Sequence, residues 1–506
     1  MRVTIDGLPV EVPAGANLIE AAAHAGKSVP HYCWHPRLSV VGNCRICLCE
    51  VEGMGKLQIG CNTQVREGMA FHTENARVKG ARAGVMELLL IHHPLDCPIC
   101  DQAGECKLQD YAVDHGTGVT RYGFPKVKKP KNISWGDKVV FDSERCILCT
   151  RCVRFAAEVA GTDEIGIDLR GEKATLIVKG DGHLTSPYQM NVIDLCPVGA
   201  LTSRDFRFKS RVWFMKFTET ICTSCARGCN VVAGARNDRM LRMVPRPNPQ
   251  VNDHWMCDHG RLHYGFVNDP ERLTSPRIGG KGAPYPPAIA RSAELLKAAR
   301  GDGILVVASP FMTNEELLAL KGICDALGVA DRWFVKPTGE GDELLRHPEL
   351  CPNARGCALL GFEEAPAEPA ADRKWGALLH VVPHEGATLP AEIAARAKKR
   401  ILLSLREREA DVCLPLTTWI EKDGTVVSAG DIVQRVAKGL TFEPTLLTER
   451  TVLENIRAAL EPGFAPADTA SQAFARLARA CRAFEDLTWQ KVGTGGVRLG
   501  AQEVAR

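Results

Sequence analysis

The sequence predicts a multidomain protein of α+β and α/β character, with a small β-rich N-terminal module, cysteine-bearing modules behind it and a layered α/β region at the end. Three observations lead there. The 506 residues exceed one ordinary hydrophobic core and correspond to about three or four domains. Sixteen of the 21 cysteines lie between Cys33 and Cys257, an uneven crowding that points to metal rather than to disulfides. After Cys257 the texture changes to alanine-rich segments that alternate strand-like and helix-like patterns.

The opening reads as a hairpin, Val3-Thr4-Ile5 and Val10-Glu11-Val12 around Asp6-Gly7, followed by a helix through Leu18 to Ala23. A second helix, with Val78, Ala81, Val85, Leu88 and Leu89 on one face, runs to the stop at His92-His93-Pro94. The stretch Pro125 to Lys131, rich in lysine and proline, reads as a connector, either solvated or docked to an acidic partner. Ile304 to Ser309 reads as a buried strand, with Asn314 as cap of a helix through Glu315 to Leu320 and Glu363 to Asp372 as a surface loop. A net charge of +3 gives no basic field for nucleic acid or an anionic membrane. No signal peptide and no apolar run of about 18 residues appears, so the expectation is a soluble, cytosolic chain.

The cysteines fall into four sets. Cys33, Cys44, Cys47 and Cys61 come from one long loop and a returning strand, with Gly42 and Asn43 letting backbone amides approach the sulfurs; the set suits two irons. His93, Cys97, Cys100 and Cys106 combine three thiolates with an imidazole, and His92 competes for the same role. Cys146, Cys149 and Cys152 hold three corners of a cubane, with Cys196-Pro197 arriving later as the fourth. Cys222, Cys225, Cys229 and Cys257 form the last set. Structural zinc is the competing ligand for the first, second and fourth. Arg145, Arg151 and Arg154 interleave the third set, which fits either neutralisation of cluster charge or a solvated face. Cys49, Cys324, Cys351, Cys357 and Cys481 read as packed thiols.

Each set has its own likeness. The first resembles the plant-type [2Fe–2S] ferredoxin group with a longer first spacing, the third resembles bacterial ferredoxins, and the fourth resembles the [4Fe–4S] subdomain that opens molybdopterin oxidoreductases. In order, the four resemble the large iron–sulfur subunits, of the 75 kDa type, of respiratory NADH:quinone oxidoreductase, complex I, over roughly the first 270 residues. The segment Cys413 to Thr425 is similar to one found late in molybdopterin-type domains, yet only 249 residues follow Cys257, which implies a truncated scaffold without molybdopterin.

The resemblance implies a β-grasp [2Fe–2S] domain at 1–78, a histidine-ligated [4Fe–4S] module at 79–118, a ferredoxin-type [4Fe–4S] domain at 138–210, a molybdopterin-oxidoreductase-type [4Fe–4S] domain at 215–271 and a degenerate α/β domain at 272–506. It implies one [2Fe–2S] and three [4Fe–4S] clusters that relay single electrons from a flavin- and NADH-binding partner subunit toward quinone. The implied location is a peripheral position on the cytoplasmic side of the bacterial inner membrane. No Gly-x-Gly-x-x-Gly follows a strand, and Gly493 to Gly496 lacks a βαβ setting, so the chain is expected to carry no nicotinamide or flavin site and no catalytic acid, base or nucleophile. Two other functions fit the pattern: a relay subunit of an NAD-linked hydrogenase or formate dehydrogenase, and a zinc-built binding module.

Overall fold

In a computed structural model, which describes residues 1–370, 372–384, 386 and 388–500, the N-terminal hairpin forms from β1 (Arg2–Ile5) and β2 (Leu8–Glu11), with Val3 opposite Val10. Three more strands, β3 (Leu48–Val51), β4 (Gln58–Ile59) and β5 (Ala70–His72), complete a sheet of order β2-β1-β5-β3-β4, in which β1 and β5 run parallel. Helix α1 (Leu18–His24) starts at Asn17, whose side chain accepts from the Ile19 and Glu20 amides while Glu20 returns a bond to the cap. This reciprocal cap fixes where the helix begins. Leu18, Ile19, Ala21 and Ala22 are buried with Val3, Ile5 and Phe71, and burying each large aliphatic chain stabilises the module by roughly 1.5–3 kcal/mol.

These elements open the first of two units, Met1–Met215. Helix α2 (Ala76–Leu90) is capped by Asn75, but its buried stripe is Val78, Arg82 and Met86, and Leu88 is 69% exposed. The apolar periodicity therefore misplaced the inward face, because the buried arginine does not register as apolar. Helix α3 (Lys107–His115) follows Cys106, and helix α4 (Arg151–Glu158) follows Thr150. A three-stranded antiparallel sheet of 201–203, 139–141 and 133–134 supports the segment between them in sequence.

The lysine-rich connector is neither a solvated tether nor a free basic patch. Lys126 donates to the carbonyls of Leu90 and Ile91, each at 2.8 Å, closing the end of α2. Lys129 donates to the Ala174 carbonyl at 2.7 Å. Lys131 pairs with Asp96 at 2.6 Å and Glu144 at 2.8 Å. These lysines tie the unit together because unpaired helix-end carbonyls and half-buried carboxylates need donors.

The second unit, Lys216–Arg506, begins with antiparallel strands Lys216–Ile221, Asn230–Arg236 and Arg239–Pro245. It continues into an eight-stranded sheet whose parallel part runs, in spatial order, 412–415, 397–404, 375–381, 304–308, 331–334 and 363–364. Chain direction across the sheet reverses between 304–308 and 375–381, as in doubly wound folds. Strand Ile304–Ala308 is buried throughout. The helix after it is Asn314–Leu327, capped by Thr313 rather than Asn314. Glu316 reciprocates the Thr313 cap, leaving Asn314 to donate to Thr425 Oγ1 at 3.0 Å. In the expected surface loop, Glu363–Glu364 forms a short edge strand and Ala371 lies outside the described residues.

Among the described residues no helix is long and apolar enough to cross a membrane.

Candidate iron–sulfur sites

The first set is gathered by the β-rich module. Cys33 lies in the loop after α1, Cys44 and Cys47 precede β3, and Cys61 sits in a single 3₁₀ turn after β4. Backbone amides of Asn43 and Cys44 point at the Cys33 sulfur. Hydrogen bonds from Cys44 and Cys61 hold the Cys33 thiol down, and contact with Cys61 does the same for Cys47. The same contacts push Cys44 and Cys61 up. Four thiols this close cannot all ionise alone, and a cationic iron core is what would replace the shared protons. The donor set therefore fits a [2Fe–2S] group. Cys49 points elsewhere, toward the Cys47 carbonyl, and burial raises its thiol to about 12.

In the second set, His93 follows the end of α2, Cys97 and Cys100 bracket a 3₁₀ turn, and Cys106 caps α3. The two histidines have different surroundings. His92 Nδ1 accepts from the Val127 amide at 3.3 Å and its ring meets Tyr122 edge-on. Among the described residues His93 has no such hydrogen bond, and burial with the nearby Arg145 cation lowers its imidazole to about 4. It is neutral at physiological pH, the form in which imidazole binds metal.

The third set is strung along a strained loop. Leu148 and Thr150, between the cysteines, both take left-handed backbone angles, φ 52° and 62°. Such strain concentrates at functional sites. Here it turns the Leu148 amide onto the Cys146 sulfur at 3.4 Å. Cys152 lies in the first turn of α4, and Cys196 ends the short helix Asn191–Leu195 and receives the amides of Val198, Ala200 and Leu201. Burial drives all four thiols upward, Cys196 to about 12. Inward amides and upward-shifted thiols suit a group that brings its own positive charge.

The fourth set belongs to the second unit. Strand pairing places Ile221 opposite Asn230, and the turn between carries Cys222, Cys225 and Cys229, closed by a 2.8 Å bond from the Cys222 amide to the Cys229 carbonyl. Cys257 caps the short helix Asp258–Leu262. Gly260 is required there: a β-carbon would come within 2.8 Å of the Cys222 sulfur and 3.5 Å of the Cys257 sulfur. Among the described residues, no three His, Cys, Asp or Glu side chains converge tightly enough to hold a single metal ion.

Spatial order within the first unit differs from sequence order. One Arg154 terminal nitrogen donates to the carbonyl of Cys33, at 2.6 Å, and to that of Cys149, at 3.2 Å, so the first set abuts the third. Asn43 donates to the Leu148 carbonyl at 3.0 Å at the same seam. On the other side the Cys196-Pro197 turn meets the second set: the Pro197 carbonyl accepts from the Lys107 amide at 3.1 Å and faces the Cys106 sulfur at 4.0 Å. The sets follow one another as first, third, second.

Spacing did not reveal two further features. Cys106, Cys152 and Cys257 each occupy a helix start, where backbone amides are free of intrahelical partners, although burial still leaves all three thiols raised; a cysteine at the start of a helical pattern was the available signal. Arg145, Arg151 and Arg154 are buried rather than solvated.

At the sheet reversal of the second unit, where doubly wound folds place their ligands, the crevice leaves little enclosed space. Ser309, Phe311, Met312, Val382, His384 and Lys422 line a cavity of about 30 Å³, room for about two waters. Lys422 pairs there with Glu316 and Glu449, each at 3.0 Å.

Four families match the chain in succession: a 2Fe-2S iron-sulfur cluster binding domain at 1–76, the NADH-ubiquinone oxidoreductase-G iron-sulfur binding region at 82–121, the NADH-quinone oxidoreductase subunit 3 ferredoxin-like domain at 136–202, and the molybdopterin oxidoreductase Fe4S4 domain at 215–269. The G-type NADH-quinone oxidoreductase subunit of Rickettsia conorii is 40% identical over 332 residues, which are 65% of this chain and 49% of that protein. The mitochondrial NADH dehydrogenase (ubiquinone) iron-sulfur protein 1 of Solanum tuberosum is 40% identical over 336 residues, 65% of this chain and 45% of that one. The chain thus spans about half the length of these relatives. A solved structure, an NAD⁺-reducing [NiFe]-hydrogenase in the H₂-reduced state, is 28% identical with a TM-score of 0.38, covering 42% of this chain and 90% of its own.

Proposed function

We propose that this chain is the electron-relay subunit of an NADH-quinone oxidoreductase, a reading supported by 40% identity to such a subunit over 65% of its length. It takes single electrons from a flavin-bearing, NADH-binding partner and passes them through iron–sulfur clusters toward quinone. The observation that carries the reading is the contact chain inside the first unit, where Arg154 joins the loops of Cys33 and Cys149 and the Cys196-Pro197 turn abuts Cys106. Electron hopping asks for closeness and tuned potentials, and needs no acid, base or nucleophile.

Cys33, Cys44, Cys47 and Cys61 would hold a [2Fe–2S] cluster. His93 with Cys97, Cys100 and Cys106, then Cys146, Cys149, Cys152 and Cys196, then Cys222, Cys225, Cys229 and Cys257 would each hold a [4Fe–4S] cluster. The clusters supply one-electron redox chemistry when bound. The chain's residues fix them in place, aim amides at the sulfurs and keep water away, which sets potential and reorganisation. The C-terminal domain would serve as a scaffold without molybdopterin, a reading that the small size of the cavity at its sheet reversal supports. The complex would lie on the cytoplasmic side of the bacterial inner membrane, this chain being peripheral.

Anaerobic purification of the chain with its native partners, with assays for iron, acid-labile sulfide, zinc and molybdenum, tests the proposal. Iron and sulfide in near-equal amounts beside a flavin-bearing partner are expected. Zinc without sulfide, or a nickel- or molybdenum-bearing partner, would overturn it.

A further inference from the structure

The seam between the first and third sets holds two buried cations that have no carboxylate partner among the described residues. Arg151 and Arg154 lie three residues apart on α4, and only 6% and 7% of their surfaces are exposed. Arg154 donates to the carbonyls of Cys33, Cys149 and Ser39 and to Thr150 Oγ1. Arg151 donates to the carbonyls of Leu195, at 3.3 Å, and Trp34. Every one of these acceptors is neutral. Glu158, one turn beyond Arg154, is turned instead to the Ser39 amide at 2.8 Å.

Arg145, in the same stretch, shows the contrast. It is equally buried but pairs with Asp96 at 3.0 Å and Asp142 at 3.3 Å, so its charge is already answered within the fold. A buried guanidinium without a counter-ion is strongly disfavoured, and carbonyl dipoles offset only part of that. The missing negative charge has to lie nearby.

Resting on the function proposed above, we infer that Arg151 and Arg154 form a cationic bridge whose counter-charge is the two clusters flanking it, so that these residues set the reduction potentials of both clusters together. Fixed positive charge favours the reduced, more negative state of each cluster. The pair also locks the two ligand loops together through carbonyls on both sides. Arg151 and Arg154 are therefore positioning and tuning residues of the first and third sites, and Arg145 is not.

The test is a redox titration of the intact complex followed by electron paramagnetic resonance, comparing the unsubstituted protein with Arg154→Gln, Arg154→Lys, Arg151→Gln and Arg151→Lys. With either glutamine variant, the [2Fe–2S] signal and the third-site [4Fe–4S] signal should both move to lower potential. At a fixed potential the reduced-to-oxidised ratio should fall about tenfold, which is 59 mV for one electron. The lysine variants keep the charge but lose the forked carbonyl ties, and should leave both potentials unshifted. If a glutamine variant fails to assemble its clusters, the lysine variants decide: unchanged potentials at both sites support the bridge, and a fall at either overturns it. Glutamine variants that retain both clusters at unchanged potentials, or shift only one, also overturn it. Absence of sulfide from the unsubstituted complex would instead sink the electron-relay reading beneath this one.

Discussion

Gly199 lies against the sulfur of Cys100, leaving no room for a β-carbon between them. The turn that delivers Cys196 to the third set thus forms part of the wall of the second, and a single methyl group at this position is expected to reach both.

Gly199→Ala should force the turn and the Cys100 loop apart, at a cost of about 1–3 kcal/mol typical of overpacking. The expected outcome is loss or broadening of the second-site [4Fe–4S] signal in electron paramagnetic resonance, with the [2Fe–2S] signal retained. Unaltered spectra and unaltered iron content would show that the turn yields freely.

His93→Cys should lower the potential of the second-site cluster, because a thiolate adds a negative charge that the imidazole lacks. His92→Ala is the matching control. It removes the contact with Val127 and Tyr122, and should weaken the fold by about 1 kcal/mol without moving the potential. The opposite pattern in redox-monitored spectra would transfer the ligand role to His92.

Cys49→Ala should leave iron and sulfide unchanged, since its thiol is buried away from the other four and kept protonated. Cys47→Ala should abolish the [2Fe–2S] signal. Iron analysis of the two variants side by side checks the distinction, and equal losses would count against it.

Glu315 gives a pH-dependent prediction. Its carboxyl is fully buried, accepts from the Thr425 amide at 2.8 Å and the Thr425 hydroxyl at 2.9 Å, and is raised by burial to about 7. A carboxyl raised in the folded state binds its proton more tightly there than when unfolded. Its contribution is therefore fully present below about pH 4.5 and lost as pH rises through about 7. Relative to Glu315→Gln, which cannot ionise, the unsubstituted chain should lose stability across that window by an amount on the order of 2–3 kcal/mol. Thermal melts at pH 5 and pH 8 check this, and parallel pH profiles for the two proteins would refute it.

What the sequence made legible, and what it hid, divides along range of interaction. Cysteines three or four residues apart share one loop whatever the rest of the chain does, so Cys146, Cys149 and Cys152 group on inspection. Strand Ile304–Ala308 and helix α1 are likewise local matters of apolar pattern and capping. The order in which the sets abut is not local: Arg154 reaches Cys33 across 121 residues, and nothing near either residue announces the contact. The same holds for Lys131, whose partners Asp96 and Glu144 lie on separate segments, so a lysine run that looked like a tether proved to be a set of internal ties. Arg82 defeated the helical-face reading because burial of a cation leaves no apolar signature. For His92 and His93, adjacent in sequence, nothing local announced that the Val127 amide would come to lie beside His92.

The interleaving of the second and third sites has a consequence for biosynthesis. Pro197, which faces Cys106, emerges from the ribosome 91 residues after it, a delay of about 5–18 s at ordinary translation rates. Until then the nascent second module lacks one side of its enclosure, so under the proposed function a cluster placed there before the downstream segment arrives would be open to solvent on that side.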